Sequence, residues 1–199
     1  MQEICHLGTR ELTTQRLVLR PFKPEDGPAM FRNWAGSSRV TRYLTWPTHD
    51  SEATSSALTT LWAKEAEDPG RYQWAIVLKE LGEPIGSISV VSHDESIRAA
   101  EIGYCIGEHW WGKSLTAEAL QAVILYLTES VGFNRITARH DTENPASGRV
   151  MQKAGMLFEG ISRAAGRNNR GIVDMAYYGI LADDVTGKKA DPAQPEEAL

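Results

Sequence analysis

Hydrophobic and polar positions along the chain change period several times, and each change marks an element. Residues 17–22, Leu17-Val18-Leu19-Arg20-Pro21-Phe22, predict a strand stopped by proline. Residues 25–35 carry Met30, Phe31 and Trp34 at helical spacing, and a short helix follows over 38–44. Asp50 or Ser51 caps a longer helix reaching residue 67, with Ala53, Ala57, Leu58, Leu61 and Trp62 on its apolar face. Asp68-Pro69-Gly70 ends it. Beyond this point the period drops to two. Residues 72–79 alternate, with Trp74, Ile76 and Leu78 on one face and polar or small residues on the other. Strands over 85–91 and 99–106 follow, separated by the turn at 81–84 and the loop His93-Asp94-Glu95-Ser96, and complete an antiparallel meander. A helix over 114–129 shows the stripe Leu115, Ala119, Ala122, Val123, Tyr126 and Leu127. A strand over 135–140, a helix over 144–154 stopped by Gly155, and strands over 157–164 and 172–181 complete the pattern.

The predicted order is β-α-α-α-β-β-β-α-β-α-β-β. It implies an α/β (α+β) fold with a mixed, mostly antiparallel central sheet, in which strand 99–106 crosses over to strand 135–140 as one parallel unit. The chain has 199 residues, enough for one domain, expected over 1–182, with a polar, proline-containing flexible tail over 183–199.

Composition adds exclusions. Hydrophobic residues make up 42% and charged residues 24%, and no apolar run approaches the ~18–20 residues of a membrane span. The start, Met1-Gln2-Glu3-Ile4-Cys5, has neither a basic nor an apolar signal region. Two cysteines form no framework, so a cytoplasmic, reducing location is expected. A net charge of −5 argues against non-specific nucleic-acid binding and leaves a basic acceptor open. The five histidines, His6, His49, His93, His109 and His140, have no metal-ligand spacing, so no metal is expected.

Chemistry concentrates in residues 101–119, read as strand, short loop and helix. A helix that begins after a small-residue loop directs free N–H groups and the positive end of its dipole outward, which makes an anion site. Gly112 allows close approach, Ser114 and Thr116 supply hydroxyls, and Lys113 supplies charge. Gly107 to Ser114 also matches the G-x-x-x-x-G-K-[ST] spacing of a nucleotide loop. Trp110 and Trp111 sit where such loops carry small residues. Residues 135–141 offer no apolar strand ending in a magnesium aspartate, and the preceding hairpins do not fit a parallel sheet.

Several ordered motifs accompany this segment: Thr14-Gln15-Arg16-Leu17-Val18-Leu19-Arg20, Pro84-Ile85-Gly86-Ser87-Ile88, Glu101-Ile102-Gly103-Tyr104, Trp110-Trp111-Gly112-Lys113-Ser114, Asn144-Pro145-Ala146-Ser147 and Lys153-Ala154-Gly155-Met156. Through them the chain resembles the GNAT superfamily of N-acetyltransferases, in particular the RimJ/RimL-type members that acetylate protein N-termini. The resemblance spans roughly residues 10–182. It implies helices on both faces of the sheet, a splayed pair of parallel strands, acetyl-CoA as donor and an amine, from a small molecule or a protein N-terminus, as acceptor; a homodimer is compatible with it. It also implies that Trp111, Gly112, Lys113, Ser114, Leu115 and Thr116 hold the pyrophosphate, although His109 replaces the usual Gln/Arg and Ser114 the second Gly/Ala. The backbone of Tyr104, Cys105 and Ile106 would pair with pantetheine, as an added strand would. Asn144 would hold the pantetheine amide and Ser147 would protonate the leaving sulfur; alternatively, Asn144 only caps the helix and Ser147 only supports it.

The base is open. Glu101 is a candidate, or a carboxylate paired at the strand edge. Some members carry a glutamate after the position of Glu159-Gly160, but residues 163–167 here contain none. An α-amine of pKa about 7.7–8.0 is about a tenth neutral at pH 7, and a lysine at about 10.4 far less than a hundredth, so a missing base favours an N-terminal acceptor. Trp34, Tyr43 and Trp46 are candidate pocket aromatics, with core residues as the alternative. Asn168, Asn169 and Arg170 form the last hairpin turn, followed by Asp174, and His140 ends a strand near the cleft. Two other functions stay open: a non-catalytic acyl-CoA-binding module and, from the loop spacing, a nucleotide-binding protein.

Overall fold

The computed structural model describes residues 4–187. Eight strands form one sheet in the order β1-β2-β3-β4-β5-β6-β8-β7. They are β1 Leu12–Thr13, β2 Leu17–Pro21, β3 Gln73–Leu78, β4 Glu83–Asp94, β5 Ala99–Ile106, β6 Arg135–Asp141, β7 Leu157–Asn168 and β8 Gly171–Leu181. Every neighbouring pair is antiparallel except β5 and β6, which run parallel. The helices are α1 Gly27–Met30, α2 Ser38–Thr41, α3 Glu52–Glu65, α4 Leu115–Leu125, α5 Pro145–Lys153 and α6 Ala182–Thr186. The mixed, mostly antiparallel sheet is as expected, with β1 as an added short edge. The tail expected from residue 183 begins inside α6, and residues 188–199 lie outside the described residues.

Strand alternation sorts the core into two layers. Leu17, Leu19, Trp74, Ile76, Ile88, Ile102 and Ile106 face α4 and α5. Ala75 and Val77 turn the other way, onto Met30, Trp34, Ala35 and Val40 of the early helices. Helices therefore cover both faces, and the small residues on the second face of β3, Ala75 and Val77, are buried. The 25–35 helix is one tight 3₁₀ turn, α1, and a widened π turn over Phe31–Ala35.

The apolar face of α3 differs from expectation. Ser55 and Thr59 are fully buried, whereas Ala53, Ala57 and Leu61 are exposed. The cause is close packing on α1: a Cβ at Gly27 would strike the Ser56 backbone, and Thr59 Oγ1 donates to the Pro24 carbonyl at 3.1 Å. Only small side chains fit there. Leu58 and Trp62 flank the contact and pack on the second core layer. Helix α4 ends at Leu125 and continues as a π turn over Tyr126–Val131, and β4 reaches Asp94, so the expected loop at 93–96 shortens to a turn.

Candidate active site

Strands β5 and β6 pair only at Ala99↔Arg135, Ala100↔Ile136 and Glu101↔Thr137. Beyond Glu101 they separate, because β6 stays registered with β8 from Arg135 to Asp141 while β5 stays with β4 as far as Ile106. A V-shaped gap opens with β5 as one wall. The Gly107 N–H donates to Ile85 O at 2.9 Å, which sets the phase of the ladder. Residues opposite one another in an antiparallel pair alternate between facing the partner and facing away. The main-chain groups of Tyr104 and Ile106 therefore face the gap, and those of Cys105 face β4. The Trp111 indole N–H donates to the Ile106 carbonyl at 2.9 Å and occupies that acceptor. Cys105 turns its side chain to the opposite layer, 3.3 Å from Ser87 Oγ, where burial pushes the thiol pKa up.

At the open end of the gap a 3₁₀ turn over Glu108–Trp110 leads to Gly112 (φ +76°) and Ser114 (φ +59°), and then to α4. Two left-handed residues so close fold the main chain into a concave nest of N–H groups. Glycine suits the first, and serine at the second adopts a conformation unfavourable for a side chain. The N–H groups of Gly112 through Ala117 meet no acceptor among the described residues. They surround the positive end of α4. Lys113 is exposed, and Lys153 Nζ at the end of α5 donates to Ser114 Oγ at 2.8 Å. Leu115 and Thr116 are buried, so they offer amides rather than side-chain surface. Glu118, in the first turn of α4, would oppose an anion, but Arg16 pairs with it at 2.6 Å. Burial raises the Glu118 pKa; hydrogen bonds from Thr14 Oγ1, the Arg16 N–H and the Arg16 guanidinium outweigh it and lower the pKa overall.

Across the gap, α5 begins with Asn144 as its cap residue and Pro145 in the first turn, but the Asn144 side chain makes no capping bond and has no partner among the described residues. It remains available to a ligand. Ser147 lies one turn in. The Tyr104 hydroxyl is 3.0 Å from both Ser147 O and Ser147 Oγ. Burial pushes the Tyr104 phenol pKa upward against the opposing Ser147 bond, so it keeps its proton and donates. Sequence reasoning anticipated the Tyr104 backbone but not its side chain; strand alternation, which places it on the α5 face with Ile102 and Ile106, was the available signal. It also missed Lys153, although that residue opens one of the motifs.

Glu101 lies on the opposite face of β5, its Oε1 2.8 Å from Arg139 Nε on β6. Its carboxylate is therefore paired at the closed end of the V. Trp34 is fully buried core. Tyr43 is partly exposed beneath the guanidinium groups of Arg42 and Arg170, and Trp46 packs on His49. The last hairpin docks here: Asn169 Nδ2 donates to Thr41 O and Trp46 O, and Arg170 pairs with Asp141 and Glu143. Asp174 Oδ1 accepts from the Ala164 N–H within that hairpin. His140 Nδ1–H donates to Asp141 O at 2.8 Å, and its Nε2 is buried behind Gly148 of α5 with no partner among the described residues.

Known proteins resemble the chain in sequence and fold. The chain is 27% identical over 176 residues to an uncharacterized N-acetyltransferase, p20, of Bacillus licheniformis, covering 88% of this chain and 98% of that protein. It is 27% identical over 140 residues to a ribosomal-protein-serine acetyltransferase of Escherichia coli, covering 70% and 78%. Its fold matches a microcin C7 self-immunity acetyltransferase solved with acetyl-CoA and AMP, with a TM-score of 0.75 at 17% identity, covering 84% and 93%. No helix among the described residues is long and apolar enough to cross a membrane. The family model of the acetyltransferase (GNAT) domain matches residues 16–157, and the chain belongs to this family of acetyltransferase enzymes.

Proposed function

We propose that the protein transfers an acetyl group from acetyl-CoA directly to a primary amine, with a protein or peptide N-terminus as the preferred acceptor. One observation carries this reading: the unpaired amides of Gly112–Ala117 lie beside a strand edge at Tyr104 and Ile106 that faces an open gap. The first suits a diphosphate and the second an amide-containing arm. Bound acetyl-CoA supplies an activated acyl carbon and a thiolate leaving group. Asn144 holds the arm through its free side-chain amide, and Ser147 hands a proton to the departing sulfur. Tyr104 passes a proton to Ser147 Oγ as Ser147 loses its own, and the proton shed by the attacking amine returns through solvent to Tyr104, so both hydroxyls end neutral. Cys105 is a poor acyl carrier, because its thiol is buried and its pKa raised, which favours direct transfer.

The acceptor approaches from the face that carries Glu101, Tyr43 and Trp46. Arg139 pairs with the Glu101 carboxylate and commits it to an ion pair, which suits an α-amine already partly neutral. The relative that acts on a ribosomal-protein serine supports the same class. Self-association belongs to the same proposal: edge strand β7 leaves Leu157, Phe158 and Ile161 exposed, the kind of surface a second copy covers.

Incubation with acetyl-CoA and paired peptides, one with a free α-amine and one blocked there but carrying lysine, tests this by thiol release and product mass. The expected product is N-terminally acetylated, with a rate nearly flat above pH 8. CoA binding without thiol release to any amine would instead identify a non-catalytic module. Stabilisation by magnesium-ATP but not by CoA would overturn the cofactor assignment.

A further inference from the structure

The closed end of the V carries a second cluster of chemistry-bearing groups, at the opposite end of β5 from the Gly112 loop. His6 Nε2 lies 3.2 Å from Glu95 Oε1, and His93 Nε2 lies 3.8 Å from the same oxygen. One ligand atom from each of the three residues lies within 4.8 Å of the other two. We propose that His6, His93 and Glu95 form a binding site for a divalent transition-metal ion, zinc being the best fit.

The spacing suits the ion. In a tetrahedral zinc shell with bonds of about 2.0–2.2 Å, neighbouring ligand atoms stand roughly 3.3–3.5 Å apart. The distances to Glu95 Oε1 bracket that value, so small rotations of the exposed His93 and Glu95 side chains complete the shell around His6. Two imidazoles and one carboxylate are ligands zinc accepts, and a water takes the fourth position on the solvent side. No lysine or arginine nitrogen among the described residues lies within ion-pair distance of Glu95, so its negative charge faces only the two imidazoles.

The site is also held in shape. The Cys5 N–H donates to Val131 O at 2.9 Å and the Gly8 N–H to Pro69 O at 2.8 Å, which pins the backbone on both sides of His6. Its Nδ1 is 2.8 Å from the Tyr72 hydroxyl, and its ring packs against Tyr72 and Phe133. That contact orients Nε2 toward Glu95, as outer partners orient metal-binding histidines. His93 belongs to β4, registered with Ala100, and Glu95 begins the turn to β5. The ion ties the N-terminal segment to the β4–β5 hairpin, where β5 and β6 are still paired. It acts as a structural clamp and takes no part in acyl transfer.

The test uses the tag-free chain stripped with a chelator. Calorimetric titration with zinc is expected to show one ion per chain, accompanied by a higher melting temperature that chelator reverses. Cobalt in its place gives visible d–d absorption. His93→Ala should abolish saturable binding and with it the zinc-dependent rise in melting temperature. Glu95→Gln should weaken binding at least about tenfold. His109→Ala, beyond the opposite end of β5, should bind like the parent. Absence of one-to-one binding, or binding unchanged in His93→Ala and Glu95→Gln, would overturn the proposal.

Discussion

The Tyr104 hydroxyl stands 3.0 Å from the Ser147 hydroxyl, joining β5 to the first turn of α5 across the gap between the parallel strands. In the proposed transfer this protonated phenol and serine share one proton path to the leaving sulfur. General acid groups contribute about 10²–10⁴-fold to rate, so Ser147→Ala is expected to lower kcat by about 10². The KM for acetyl-CoA should change far less. Tyr104→Phe should cost less alone and little more when added to Ser147→Ala, because the two act in series. Steady-state kinetics of the three variants checks this; full additivity would separate the two roles.

Lys153 reaches the anion nest from another helix, through its bond to Ser114 Oγ. Hydrogen bonds to charged groups are worth about 1.5–3 kcal/mol, so Lys153→Ala should weaken CoA binding by at least about tenfold. Dephospho-CoA, which keeps the diphosphate, should show the same loss. Titration calorimetry at two salt concentrations measures both, and the variant should show the weaker salt dependence.

Trp111 donates to the Ile106 carbonyl that a bound pantetheine arm would need. Binding should therefore displace the indole, with a change in its fluorescence. Trp111→Phe is expected to abolish most of the CoA-induced change while still binding CoA. An equal signal change in the variant would place the reporting tryptophan elsewhere.

Asp141 links the end of β6 to the last hairpin. Desolvation raises its pKa, but the Glu143 N–H, Asn168 and Arg170 outweigh that and lower it. A carboxylate depressed in the folded state contributes stability above its unfolded pKa of about 3.9, and loses it as pH falls through the lower folded value. The melting temperature of the parent should fall steeply below about pH 4. Asp141→Asn should melt lower at pH 7 and decline less steeply in acid, as thermal scans across pH would show.

Alternation and helical spacing made most elements legible, because a residue's preference for water or core repeats along its own strand or helix. The turn at Gly112 and the start of α4 were readable for the same reason: local sequence suffices to free those amides. The buried face of α3 was not readable, since Ser55 and Thr59 are inside only because Gly27 lets α1 come close.

By itself, then, the sequence determined the order of most elements, the glycine-containing loop before α4 and the family, all of which depend on neighbours along the chain. The tertiary structure alone decided where β5 leaves β6, that Tyr104 meets Ser147 and Lys153 meets Ser114, and that His6 meets His93 and Glu95. These partners are separated by 39 to 89 residues. Contacts of that kind depend on sheet register and helix packing, which no local pattern of polar and apolar residues encodes.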